Sequence, residues 1–248
     1  GMPANHGAYV TYPAEEQYAV LSIESHRHSA TIVGENLGTV PPEVDQSLKR
    51  HGIRGMFVSQ YEVAPPPRKL FRTVPKRSVA SLNTHDMPPF AAFCAGLDLE
   101  DRLDLGLLKP DELPAEQLAR SGILASLRKL LHRQGTIGDD PNFSAGDLLV
   151  AGLGHLSSSS VELVLLNLED LWREVQSQNV PGTTLERLNW CRKTRLSMEQ
   201  LKRDRKLRGL LRFVNSLRAS QQRTTNCGNP STVPNRHSDP SQEEIEQA

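Results

Sequence analysis

Apolar residues in this chain fall into two kinds of block, short continuous runs and longer stretches at helical spacing. Tyr18, Leu21 and Ile23 lie among good helix formers from Ala14 to about Arg27 and predict a first helix with a broad apolar face. Ser29–Val33 is a β-branched run ending at Gly34-Glu35-Asn36-Leu37-Gly38, the pattern of a buried strand that delivers a carboxylate into a loop. Pro41, Pro42 and Glu43 after Thr39, with Gly52 closing the segment, predict a capped helix over 41–51. Met56–Val63 and Ser78–Leu82 read as further strands, the latter ending at Asn83-Thr84-His85-Asp86. Helices follow over 112–120 and 122–134, where Ile123, Leu124, Leu127, Leu130 and Leu131 recur on one face before Gly135. Ser144-Ala145-Gly146-Asp147 has the form of a capping box for a helix through His155. Val161–Leu166 reads as a fourth strand and Leu168–Val175 as a helical turn. A last helix over 197–218 sets Leu207, Leu210, Leu211, Val214 and Leu217 on one face, with Lys and Arg around the others.

Four short apolar runs alternating with helices are the pattern of parallel βα units buried on both faces. A chain of 248 residues has room for a complete (β/α)8 barrel or for two smaller domains. The strand count favours an α/β half barrel, about four units with helical insertions, over residues 1–218. Beyond Arg218 the only large aliphatic residues are Val233 and Ile245, so residues 219–248 are expected to form a disordered polar tail.

Composition narrows the partners. Lys and Arg number 29 against 29 Asp and Glu, so the formal charge is zero and no global field attracts nucleic acid or an acidic membrane. The basic run over 202–212 is interrupted by Asp204 and has no aromatic stacking platform, which reads as the solvated face of a docking helix. No window approaches the roughly 18 apolar residues of a spanning helix, and residues 1–30 lack a signal-peptide pattern. Cys94, Cys191 and Cys227 match neither a disulfide framework nor a zinc spacing, and a cytoplasmic location is expected. His26 and His28, two apart on a helix, face different ways and suggest no metal site.

Glu35 and the pair His85-Asp86 stand at the carboxyl ends of predicted strands, where catalytic side chains converge in parallel sheets. Each also has a plain reading, Glu35 as a loop carboxylate capping the next helix and Asp86 as a turn residue bonding the backbone. Asn179-Val180-Pro181-Gly182 is a turn signal after strand four. Loops gathered at one sheet face suggest a cleft for an extended polar ligand, with Tyr9, Tyr61, Trp172 and Trp190 available as sugar platforms.

Six ordered segments then converge on one family: Gly7-Ala8-Tyr9-Val10 with Tyr12-Pro13, Leu21-Ser22-Ile23-Glu24-Ser25, Val33-Gly34-Glu35-Asn36-Leu37-Gly38-Thr39-Val40-Pro41, Gly52-Ile53-Arg54-Gly55-Met56, Asn83-Thr84-His85-Asp86-Met87-Pro88 and Asn179-Val180-Pro181-Gly182-Thr183. Together they resemble the 4-alpha-glucanotransferases, the amylomaltase or disproportionating-enzyme group of glycoside hydrolase family 77. The resemblance implies a (β/α)8 enzyme that cuts an α-1,4-glucan and passes the glucanosyl unit to the 4-hydroxyl of glucose or a maltooligosaccharide, without metal or organic cofactor. It implies Glu35 as the general acid/base, Asp86 as the support of substrate hydroxyls in the transition state, and His85, Asn179, Pro181 and Tyr9 as substrate-binding residues. The family's nucleophilic aspartate lies in an Asp-His-Phe-Arg-Gly segment, and nothing in this chain matches it. The expectation is therefore a chain that carries strands five to eight, requires the other half of the barrel, and is inactive alone. Many relatives carry Asp where Asn36 stands, and Phe90-Ala91-Ala92-Phe93-Cys94 also departs from the usual pattern. Two other readings stay open: a noncatalytic glucan-binding remnant, and a metal-dependent barrel hydrolase using His85 and Asp86.

Overall fold

The computed structural model describes residues 6–8, 10–62, 73–133, 135, 137–138 and 143–227. Helix α1 (Ala14–Arg27) forms where the sequence predicts it, yet none of its residues is buried. Val20, Leu21 and Ile23 are exposed, so of the predicted apolar face only Tyr18 finds a packing partner among the described residues. The helix leans instead on α2 (Pro42–Arg50): Tyr18 stacks on His51 with ring centroids 4.6 Å apart, and Glu15 pairs with Arg50 and His51. Helix α2 has Pro42 in its first turn, Glu43 and Asp45 near its N-terminus and Lys49 and Arg50 near its C-terminus, an arrangement its dipole favours.

Strand β1 (Gly55–Val58) ends five residues earlier than its hydrophobicity suggests, because α3 (Ser59–Glu62) turns the chain away; Val63 lies outside the described residues. It pairs in parallel with β2 (Ser78–Ser81), in the register Gly55 to Ser78 through Val58 to Ser81. All four residues of β2 are buried, as expected for a central strand of a parallel sheet.

After β2 come two helices absent from the expectation, α4 (Phe90–Ala95) and α5 (Leu97–Asp104). They meet at Gly96, whose φ of 74° is open to glycine at little cost and lets one helix end where the next begins. The predicted helices over 112–120 and 122–134 are one helix, α6 (Leu113–Arg133). Gly122 does not break it, since an internal glycine costs only about 1 kcal/mol and the Leu127, Leu130 and Leu131 face is buried beyond it. The guanidinium of Arg120 on α6 grips Asp98 of α5 through two 2.7 Å bonds and lies 3.9 Å above the Phe93 ring of α4, joining the three helices.

Helix α7 (Ala145–Ser157) has the reciprocal Ser144–Asp147 capping box read in the sequence. Strand β3 (Leu163–Val164) pairs in parallel with β2, Val79 to Leu163 and Ala80 to Val164. The predicted strand Ser29–Val33 is reduced to one parallel bridge, Val33 to Arg54, held by Gly34 N–H to Arg54 O at 2.8 Å and Arg54 N–H to Ile32 O at 3.0 Å. Four chain segments thus lie side by side in sequence order, all parallel. Val33 is 41% exposed at one margin and Leu163 44% exposed at the other, which explains why these two strands are so short: each has a neighbour on one side only among the described residues.

The core lies between the sheet and its helices. Phe57, Ala80, Leu82, Phe90, Leu131, Leu149, Leu156 and Val214 belong to one buried cluster. After α8 (Leu168–Leu171), the predicted helical turn stops short of Val175, and Arg173 has a φ of 58°. The last predicted helix is two, α9 (Met198–Arg203) and α10 (Arg205–Cys227). Asp204 takes an extended conformation between them and its carboxylate accepts the N–H groups of Lys206 and Leu207 at 2.8 and 3.0 Å, capping α10. Residues 219–227, expected to be disordered, continue this helix, while 228–248 lie outside the described residues. Arg218 is a docking point rather than an end, since its guanidinium bonds the carbonyls of Ser159, Val161 and Glu162. No helix among the described residues is long and apolar enough to cross a membrane.

Candidate active site

The segment from Asn83 to Pro89 leaves the central strand β2 as an open loop, so its side chains stand at the carboxyl edge of the sheet. Its anchors are buried. Asn83 is 2% exposed and receives the Asn167 amide on its side-chain oxygen and, at 3.3 Å, on its carbonyl. Asp170 of α8, 4% exposed, accepts the Phe90 N–H at 2.7 Å and the Asn83 amide at 3.4 Å, both on Oδ1. Burial pushes the Asp170 carboxyl up to about 6, against the two hydrogen bonds that favour its charged form; Glu169 beside it pushes the same way as burial.

Between those anchors His85 and Asp86 reach outward. The His85 Nε2 lies 3.4 Å from Asp86 Oδ1, and the His85 ring sits 5.3 Å from that of Trp190, tilted by 51°. Asn179 donates its amide to Asp86 at 2.6 Å. The loop carrying Asn179 is internally braced: Trp190 N–H bonds Gln178 O at 2.9 Å, Val180 N–H bonds Asn189 Oδ1 at 3.1 Å, and Asn189 Nδ2 bonds Thr183 Oγ1 at 2.9 Å. Two cavities flank the Asp86–Asn179 contact. One, about 200 Å³, has His85, Asn167, Asp170 and Trp190 in its wall. The other, about 220 Å³, is bounded by Asp86, Asn179, Pro181 and Asp101.

The structure therefore brings His85, Asp86, Asn179 and Pro181 together. Glu35 stands apart at the sheet margin, exposed, with no hydrogen bond or ion pair among the described residues. A closed, water-poor cleft around Glu35 is not what the chain provides, because only one side of its strand has a neighbour. Its neighbour Asn36 is fixed: Oδ1 accepts the Met56 N–H and Nδ2 donates to Asp45, each at 2.7 Å. A Cβ on Gly55 would lie 3.0 Å from that amide, a tight contact that would make the Asn36 side chain shift by a few tenths of an ångström. The departure at Asn36 thus has a structural partner, since an aspartate would set two carboxylates against each other.

Tyr9 lies outside the described residues. Of the other candidate platforms, Trp172 is buried, Tyr61 is exposed on α3, and Trp190 is 60% exposed beside His85. Asn83, Asn167 and Asp170 were not among the residues read as functional. A signal for them existed, because Asn167 and Asp170 follow strand four as His85 and Asp86 follow strand three. Among the described residues no cluster of three or more His, Cys, Asp or Glu side chains forms a metal site.

The 4-alpha-glucanotransferase of Haemophilus influenzae is 34% identical over 199 residues, 78% of this chain and 28% of its own length. That of Mycobacterium tuberculosis is 31% identical over 201 residues, covering 77% and 27%. The chain therefore spans little more than a quarter of these relatives. Among solved structures, amylomaltase from Corynebacterium glutamicum superposes with a TM-score of 0.70 at 23% identity, over 85% of this chain and 32% of that one. Amylomaltase from Streptococcus agalactiae in complex with acarbose gives 0.59 at 18%, over 88% and 37%. These likenesses assign the parallel sheet and its helices to the amylomaltase fold, in keeping with a TIM-barrel enzyme. The family model for glycoside hydrolase family 77, described as 4-alpha-glucanotransferase, matches residues 2–198, and the chain belongs to that family.

Proposed function

We propose that these residues form the C-terminal half of a (β/α)8 barrel that transfers α-1,4-glucan segments to the 4-hydroxyl of glucose or a maltooligosaccharide, with retention at the anomeric carbon. Residues 1–218 carry the barrel units, and residues 219–227 extend α10 beyond them. Glu35 is the acid/base, Asp86 binds hydroxyls of the reacting sugar, and His85, Asn179, Pro181 and Tyr9 bind substrate. The enzyme works in the cytoplasm, with no metal, organic cofactor, nucleic acid or membrane.

The observation that carries this reading is the convergence of two loops far apart in sequence on one exposed carboxylate: His85 and Asn179 both contact Asp86 Oδ1, beside an exposed tryptophan. Hydroxyl-rich ligands are bound by such groups, with charged acceptors for the hydroxyls and an aromatic face for the ring. Retention requires two carboxyls about 5 to 5.5 Å apart, one forming a glycosyl-enzyme and the other first giving and then taking a proton. Glu35 has the second role, and its exposure at the sheet margin fits a group that meets its partner carboxyl across an edge completed by another part of the barrel.

The test grafts residues 2–198 into the Haemophilus influenzae relative in place of its matching segment and follows glucose and longer oligosaccharides released from maltotriose. The grafted enzyme should disproportionate maltotriose, and Glu35→Gln should lower the rate by at least about 100-fold, the lower range for a positioned proton donor. A folded graft that is inactive, or a Glu35→Gln variant within a few fold of the parent, overturns the assignment.

A further inference from the structure

Asp170 is a buried carboxylate for which the proposed chemistry has no use. A buried acid is expensive to keep unless it does something that an apolar residue cannot. Its contacts are specific. Oδ1 takes the Phe90 N–H, the first of α4, and the Asn83 amide, which ends the run out of β2. Those two residues bracket the loop carrying His85 and Asp86, so one side chain holds both ends of it. Asn167, a turn upstream of Asp170, holds Asn83 from the other side through its carbonyl and side-chain oxygen. Asp170 and Asn167 also share the wall of the cavity beside His85 and Trp190.

Resting on the function proposed above, we propose that Asp170 is a positioning residue which, through Asn83 and the Phe90 N–H, fixes the 83–90 loop so that His85 and Asp86 meet the substrate. The loop itself has little else to hold it. Between Asn83 and Pro89 its further bonds are Met87 N–H to Thr84 O at 3.2 Å, Asp86 N–H to Thr84 Oγ1 at 3.3 Å, the Asn83 amide to Pro88 O at 3.4 Å and the Asn179 amide to Asp86 Oδ1 at 2.6 Å. Burial raises the pKa of Asp170, so the carboxyl is retained there in spite of its desolvation. The titratable groups around it are Glu169 on its own helix, Cys94 on α4, and His85 across the cavity. Since both bonds fall on a single oxygen, an asparagine can accept the same two donors, whereas alanine can accept neither.

The experiment compares Asp170→Ala and Asp170→Asn in the grafted enzyme, using hydrogen exchange by mass spectrometry, maltotriose kinetics and acarbose binding. Asp170→Ala should speed exchange in peptides covering 83–93 while leaving those of α2 and α7 unchanged. It should lower kcat about 100-fold, the scale of a 1 Å misplacement of a reacting group, with acarbose affinity within about threefold. Asp170→Asn should restore both exchange and kcat to within a few fold. A general loss of protection with unchanged kcat would mean a structural role only, and an asparagine variant as impaired as alanine would mean that the charge acts directly; either overturns positioning. If Asp170→Ala does not fold, Asp170→Leu, which keeps the buried volume without an acceptor, is held to the same outcomes. Failure of the proposed function shows separately, as a parent graft without transfer activity, and the exchange comparison then still decides whether Asp170 holds the loop.

Discussion

The amide of Asn179 donates to Asp86 Oδ1 over 2.6 Å, joining residues 93 positions apart in the chain. His85 Nε2 approaches the same oxygen at 3.4 Å, so Oδ2 is the oxygen left to accept from a substrate hydroxyl. A neutral amide suits this place because it supplies a donor without a second negative charge. Asn179→Asp should therefore impair transfer more than Asn179→Ala, because it opposes two carboxylates at hydrogen-bond distance. Both groups are exposed and solvent screens the repulsion, so losses of about tenfold are expected rather than complete inactivation. Rates of maltotriose disproportionation in the grafted enzyme measure it, and equal losses in the two variants would show that charge is not the reason for asparagine.

Asp86 should act on the transition state more than on the bound substrate. In the proposed function its carboxylate would strengthen its bonds to hydroxyls as the sugar ring flattens, an interaction that would contribute little before reaction. Asp86→Asn is expected to depress kcat by at least about 100-fold while changing acarbose or maltooligosaccharide affinity far less. Equal losses in affinity and turnover would assign Asp86 a plain binding role.

Much of the fold was legible because its signals are local. The helix Pro42–Arg50 is announced by its proline and its charges, and α7 by Ser144 and Asp147, all within one turn of the helix they begin. The strand order followed from the alternation of apolar runs. What failed depended on neighbours. Val33 has the β-branched character of a buried strand but sits at a sheet margin, so its run made one bridge instead of a strand. Asp204 looked like one polar residue on a helix and is a cap that starts a new one. In the site, His85, Asp86 and Asn179 were readable from motifs. Asp170 was not, since its burial arises from residues 80 and more positions away, at Phe90 and Asn83.

Asp170 also makes stability depend on pH in a direction opposite to that of a paired surface carboxylate. Burial raises it to about 6, so the folded chain keeps a proton that the unfolded chain releases near 3.8. This contribution is complete below about 4 and lost as pH rises through 6, on the order of 3 kcal/mol in all. Asp170→Asn removes the titration. Its stability relative to the parent should rise by about that amount between pH 4 and pH 7.5, read as a shift in urea midpoint at low protein concentration. A difference independent of pH would contradict the burial argument. With the positioning role, this describes a site that trades some stability for loop placement.

The 248 residues by themselves should not turn over maltotriose. Their sequence has no match to the family's nucleophile segment, and in the structure Glu35 stands exposed and in contact with no other carboxylate among the described residues. Without a second carboxyl at the required spacing, no glycosyl-enzyme forms and a proton donor alone gives no retained product. The same open geometry leaves Val33 and Leu163 exposed at the two margins of a parallel sheet, where unpaired backbone groups accept another strand. Concentration-dependent self-association is therefore expected along with inactivity, and both should be relieved together when the residues are grafted into a complete relative. Light scattering across a dilution series and product analysis on the same samples check the pair. Sustained disproportionation by the isolated chain, abolished by Glu35→Gln, would mean that another of its own carboxylates is the nucleophile.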